Sequence, residues 1–182
     1  MPIANAQKLF VHELGEVYDA EHRFIEGQQE MVEHATDQDL KDAIQEHLEQ
    51  TRQHAANVER VFTELGQETH RETNEVAKGL VSEAQEGMQE AQSDALRDAA
   101  IVSAVIQVEH FEMGSYRNLV TAAHLMGQTE VERLLRGNMQ QEEETARIAE
   151  QSAEDLLQKA MQGEQGEEEG LIDRAKDKLL GQ

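Results

Sequence analysis

The sequence predicts an all-α protein, a bundle of four long helices with a crossover helix between the second and third and a tail after the fourth. Three observations carry this. The 182 residues include one proline and two tyrosines and are 38% hydrophobic, which disfavours strands and leaves enough apolar material for one self-sufficient core. Apolar residues recur at helical spacing through four long segments. Short polar or glycine-containing breaks separate those segments where helices must stop.

The first helix is expected from Ala6 to about Glu33, with Phe10, Leu14, Val17, Phe24 and Met31 on one stripe. Thr36 or Asp37 can cap the second, whose stripe is Leu40, Ile44, Val58, Val61 and Leu65, with His47, Thr51 and His54 filling the gap; Gly66 ends it. A shorter amphipathic segment from about Glu72 to Ala91, with Val76, Leu80, Val81, Ala84 and Met88 inward, reads as the crossover. The third long helix runs from about Ser93 to Leu125, Met126-Gly127-Gln128 turns the chain, and the fourth runs from about Thr129 to Lys159. Two helical hairpins joined by a long crossover make a bundle of the ferritin-like kind, over residues 1–160.

Charge and composition narrow the function. With 38 acidic against 16 basic residues the formal charge is −22, so the field around the protein repels phosphate backbones and disfavours nucleic acid as a partner. There is no cysteine, which removes disulfides, thiolate metal sites and cysteine nucleophiles. The amino terminus lacks a basic stretch followed by an apolar one, and nowhere do about 18 apolar residues run together, so the expectation is a cytoplasmic protein without a transmembrane segment.

Four glutamates break the apolar stripes. Glu21 lies on the first helix, Glu109 and Glu112 on the third and Glu142 on the fourth, each at a position where the surrounding pattern demands a core residue. Stripping a carboxylate of water costs several kcal/mol, on the order of a whole hydrogen-bond network, so four that converge imply a cation among them. Glu109 and Glu112 are three residues apart and project from one face, as chelation of a hard cation requires. His47 and His54 are the nitrogen candidates, as ligands or as donors behind the ligands. A first turn centred near residue 36 sets Glu21 opposite Thr51, between the two histidines, and a second turn near Gly127 sets Glu112 beside Glu142. Both hairpins therefore bring their polar residues to mid-bundle. Oxygen-rich ligation favours iron or manganese, and residue types do not separate the two. The Glu-x-x-His pair found on two helices of familiar dimetal carboxylate bundles is absent, so the site should be carboxylate-rich and asymmetric. His110 should point off the stripe, and Tyr18 and Tyr116 lie near the depth of the site.

The segments Leu9-Phe10-Val11-His12-Glu13-Leu14, Tyr18-Asp19-Ala20-Glu21, Glu46-His47-Leu48-Glu49-Gln50-Thr51, Asp98-Ala99-Ala100 and Val108-Glu109-His110-Phe111-Glu112 with Tyr116 resemble the bacterial YciE/YciF family of ferritin-like stress proteins. The resemblance covers residues 8 to about 158. It implies a ferritin-like bundle, a homodimer, a link to stress responses and a dinuclear metal centre in which Glu21, Glu109, Glu112 and Glu142 match acidic core positions. Gln50 stands where many relatives have glutamate.

Two functions follow. One is a stress-response protein whose buried dinuclear iron or manganese site acts on oxidising or peroxide species, with a ferroxidase-like or other oxidoreductase activity, Glu21 and Glu109 serving as terminal or bridging ligands. The alternative is a non-catalytic helical interaction or structural stress protein whose tail recruits a partner. That tail, residues 161–182, reads as a flexible acidic linker rich in glycine and glutamate followed by a short amphipathic helix around Leu171, Ile172, Ala175, Leu179 and Leu180. Its expected contacts are its own bundle, a sister subunit, another protein or a membrane surface.

Overall fold

The computed structural model describes the backbone of residues 3–180 and the side chains of residues 3–163. Five helices follow one another: α1 (Ala6–His34), α2 (Gln38–Glu64), α3 (Glu75–Glu90), α4 (Asp94–Leu125) and α5 (Thr129–Leu180). The start of each of the first four is fixed by a side chain that accepts from an otherwise orphaned backbone N–H: Asn5 from Lys8, Asp37 from Asp39 and Leu40, Asn74 from Ala77, and Ser93 from Leu96. Gly66 and Gly127 adopt φ of +64° and +69° just past the ends of α2 and α4, a conformation that costs other residues energy, and so turn the chain where the sequence expects it. The backbone of α5 stays helical through Leu180. The expected linker and amphipathic tail fall on side chains outside the described residues.

α1 pairs with α2 and α4 with α5, while α2 faces α5 and α1 faces α4. The crossover begins where Glu72 N–H donates to Gly15 O at 3.1 Å. A Cβ on Gly15 would stand 2.9 Å from Glu72 Cγ, so the chain can cross α1 this closely only over a glycine. From there α3 runs alongside α1 and delivers the chain to the opposite end of the bundle, which makes α2 and α4 parallel, the connection expected of a ferritin-like bundle.

Two buried aspartates hold this path. Asp19, only 4% exposed, accepts from Arg23, from Arg71 and from the Asn74 backbone N–H, tying the crossover to α1. Asp98 accepts from the Thr36 N–H and hydroxyl and from the Asp37 N–H, tying the first turn to α4. The Asn74 anchor also sets the phase of α3. Ala77, Ala84 and Met88 are buried, whereas Val76, expected to face inward, is 58% exposed because it lies about 100° around the helix from Ala77.

The core has an apolar cluster at each end. Phe10, Leu14, Phe62, Leu119 and Leu135 belong to one, and Met31, Ile44, Ile101, Val102 and Leu156 to the other. Between them, at mid-bundle, the interior turns polar.

Candidate metal centre

All six residues expected at the site meet there. Glu21 comes from α1, His47 and His54 from α2, Glu109 and Glu112 from α4 and Glu142 from α5, and none is more than 5% exposed. Their ligand atoms form two groups, each within 4.8 Å: His47, Glu109, Glu112 and Glu142, and Glu21, His54 and Glu142. Glu142 is common to both, while Glu21 and Glu109, expected as terminal or bridging ligands, each belong to one.

The two histidines are seven residues apart on one face of α2, two helical turns, so each supplies one group. Their outer nitrogens have acceptors. His54 Nε2 stands 2.8 Å from Gln141 Oε1, and His47 Nδ1 lies 3.3 Å from Thr145 Oγ1 and 3.4 Å from Gln50 Oε1. Thr145 Oγ1 gives its own hydrogen to Gln141 O, so toward His47 it can only accept. These partners hold one ring proton on the outside and turn His54 Nδ1 and His47 Nε2 toward the carboxylates, where each can offer a lone pair to a metal once its own proton has left.

The inward atoms crowd into close contacts whose geometry falls short of hydrogen bonds. His54 Nδ1 is 2.7 Å from Glu142 Oε1 and His47 Nε2 is 3.0 Å from Glu109 Oε1, yet all of these atoms lack a hydrogen-bond partner of proper geometry. Among the described residues, the nine buried side-chain atoms in that condition all belong to these six residues. Buried polar atoms are nearly always paired, so a set of lone pairs converging on two common points is the donor arrangement of a cation site.

Proton affinities reflect the crowding. Burial, then the neighbouring Glu142 carboxylate, pushes Glu112 well above the ordinary range. Burial also lifts Glu21 to about 8 and Glu109 to about 7, against the pull of His54 and His47 respectively. Glu142 goes the other way: burial would raise it, but His54 and His47 on either side hold it below its ordinary value. Burial works to lower both histidines, and the carboxylates overcome it, Glu109 raising His47 to about 9 and Glu142 raising His54 to about 8.

A polar chain runs from the centre toward α2. Tyr116 donates its hydroxyl hydrogen to Glu21 Oε1, Asn138 donates to Tyr116 Oη at 3.0 Å, and Asn57 donates to Asn138 Oδ1 at 2.8 Å. Tyr18 instead bonds Glu59, away from the site. His110 is on the outside of α4, bonded to Glu150 across to α5 at 2.9 Å. Gln141 breaks no apolar stripe, and the one signal of its role in the sequence is its spacing of four from Thr145 on α5.

The first hairpin departs from the expected register. Thr51 pairs with Gln28, and Glu21 lies instead with His54. Side chains lean toward the start of their own helix, away from the turn on α1 and toward it on α2, so facing partners sit about two residues deeper on α2 than a backbone count gives.

Residues 5–162 match the family described as Domain of unknown function (DUF892). The chain belongs to this family. Protein YciF of Escherichia coli strain K12 is a homologue, 27% identical over 146 residues, or 80% of this chain and 88% of that protein. The crystal structure of the E. coli stress protein YciF superposes with a TM-score of 0.82 at 25% identity, over 86% of this chain and 99% of that one. YcfI from Rhodopseudomonas palustris gives 0.80 at 30% identity, over 81% and 94%. As a DUF892 member the chain thus shares the ferritin-like all-α architecture of YciF, and its buried histidine and glutamate groups can hold metal. Among the described residues no helix is long and apolar enough to cross a membrane.

Proposed function

We propose that this protein is a stress-response protein whose mid-bundle centre binds two iron or manganese ions and acts on oxidising or peroxide species. The observation that carries the reading is the concentration of unpartnered buried donor atoms in two groups with one shared carboxylate. Four carboxylates and two neutral imidazoles balance the charge of two divalent cations. Oxygen-dominated donors with one imidazole each suit iron or manganese. The stress role is supported by likeness to the E. coli stress protein YciF.

In this reading His47, Glu109 and Glu112 would hold one ion and Glu21 and His54 the other, with Glu142 within reach of both groups. Metal bound there would supply the redox chemistry. The residues around it do the rest: Gln141, Thr145 and Gln50 keep the imidazole lone pairs turned inward, and Tyr116 orients Glu21 through its hydroxyl. The apolar clusters close the bundle at both ends.

Elemental analysis of protein purified without chelators, with anomalous scattering at the iron and manganese edges, tests this. About two ions per chain are expected, within ligand distance of at least three of the four glutamates, and Glu21→Ala and Glu109→Ala should both lower the content. A crystal grown with either metal and showing no peak at the centre would refute the reading in favour of a non-catalytic helical protein whose core carboxylates are protonated.

A further inference from the structure

Beside the centre lies a cavity of about 340 Å³ between α2, α4 and α5. It runs from the ion pair of Lys159 and Asp37, whose charged atoms are 2.6 Å apart, inward to His47, Gln28 and Thr145. Leu40, Ile44, Val102, Val105, Ala149 and Leu156 make its walls. Small side chains, Ala43 on α2 and Ala149 and Ser152 on α5, are among those that line it.

Three features define what would enter. The walls are apolar, and the volume admits roughly ten non-hydrogen atoms at about 30 Å³ each, the share of a water molecule in the liquid. The inner end is polar, with the Gln28 amide and the Thr145 hydroxyl beside His47, which is itself buried and turns its Nε2 to the Glu109 carboxylate, so that any charge on the ring is matched there. Anions are turned away, because Asp37, Asp39 and Asp155 line the cavity, Lys159 is committed to Asp37, and the buried carboxylates lie behind His47.

We infer that this cavity binds a neutral organic molecule with an apolar chain of about eight to ten atoms and one terminal oxygen function, and presents that oxygen end to the His47 side of the centre. Resting on the reading of the centre as a metal site, this narrows the compounds acted upon to apolar organic ones, as distinct from hydrogen peroxide. Such a molecule buries its chain against the walls as a small ligand does in a preformed pocket. Its oxygen end then meets neutral hydrogen-bonding groups.

The test uses 1-octanol and octanoate as probes, titrated calorimetrically into the full chain both freed of metal by chelation and loaded with iron. One molecule of 1-octanol should bind per chain in both forms, with octanoate at least tenfold weaker. Ala43→Phe, which adds a bulky ring from an exposed position on the cavity's rim, should weaken 1-octanol at least tenfold while circular dichroism and metal content stay unchanged. Ala43→Ser checks that a substitution there which does not fill the cavity leaves binding intact. Absence of saturable 1-octanol binding in both forms, equal binding by Ala43→Phe, or preference for octanoate overturns the proposal. Binding to the metal-free chain separates this outcome from failure of the metal reading, which the anomalous peaks decide.

Discussion

His54 turns its Nε2 to Gln141 Oε1, 2.8 Å away on the facing helix, and this contact decides which of its nitrogens confronts Glu21 and Glu142. An amide oxygen can only accept, so the proton stays on Nε2. Gln141→Leu removes that acceptor and leaves the ring free to take the other tautomer. Metal affinity should fall about tenfold, the low end of the cost of losing a partner behind a ligand, with the fold unchanged. Competition with a chromophoric chelator measures the first and circular dichroism the second.

Asp98 should prove a stability residue with no effect on metal content. Its carboxylate accepts three hydrogen bonds from Thr36 and Asp37, and Asp98→Ala leaves those donors to water at a partly buried turn. A loss of about 2 kcal/mol is expected, seen as a lower urea midpoint with an unchanged slope.

Asp19 makes stability depend on acid. Burial opposes its charge, but the Asn74 N–H and the Arg23 and Arg71 guanidinium groups outweigh burial and hold its carboxyl below the usual value. A lowered carboxylate stabilises the fold above its unfolded value of about 3.9, and that contribution disappears as pH falls through the lower folded value. Asp19→Asn should therefore be less stable than the native chain at pH 7 and lose less between pH 5 and pH 2. Parallel pH profiles for the two proteins would contradict this assignment.

Removing metal should invert the response at higher pH. Glu21 at about 8 and Glu109 at about 7 lie above their unfolded values, so the metal-free fold is favoured while they are protonated and weakens as they ionise. His47 and His54, raised to about 9 and about 8, contribute fully below their unfolded value near 6.5 and lose that contribution as pH climbs through the folded values. Chelated protein should thus have a higher urea midpoint at pH 5.5 than at pH 9. Metal-loaded protein should show the reverse between pH 5.5 and pH 7.5, because binding requires those protons to leave.

Much of this architecture is legible in the sequence because helical periodicity reports which face of a helix is buried. The long helices, the crossover and the turns at Gly66 and Gly127 follow from that, as does the placement of all six polar core residues at one depth. Periodicity says nothing of partners across the bundle. Gln141 lies 87 residues from His54, and Asp98 lies 62 from Thr36; such pairs arise only once two helices are laid side by side. The Gln28–Thr51 register was hidden for a different reason, the lean of side chains along their helices, which a count of backbone steps omits. Val76 was misplaced because its phase depends on where Asp19 pins Asn74.

Glu142 belongs to both donor groups, and so the two positions cannot fill as strangers. The first ion to arrive would neutralise part of the charge that attracts the second, yet it would also fix the carboxylate the second must use. On the proposed reading loading would therefore be stepwise, the two affinities linked by one side chain. Replacing Glu142 would erase that linkage along with the sites, whereas replacing Glu21 would leave a single position of ordinary hyperbolic uptake.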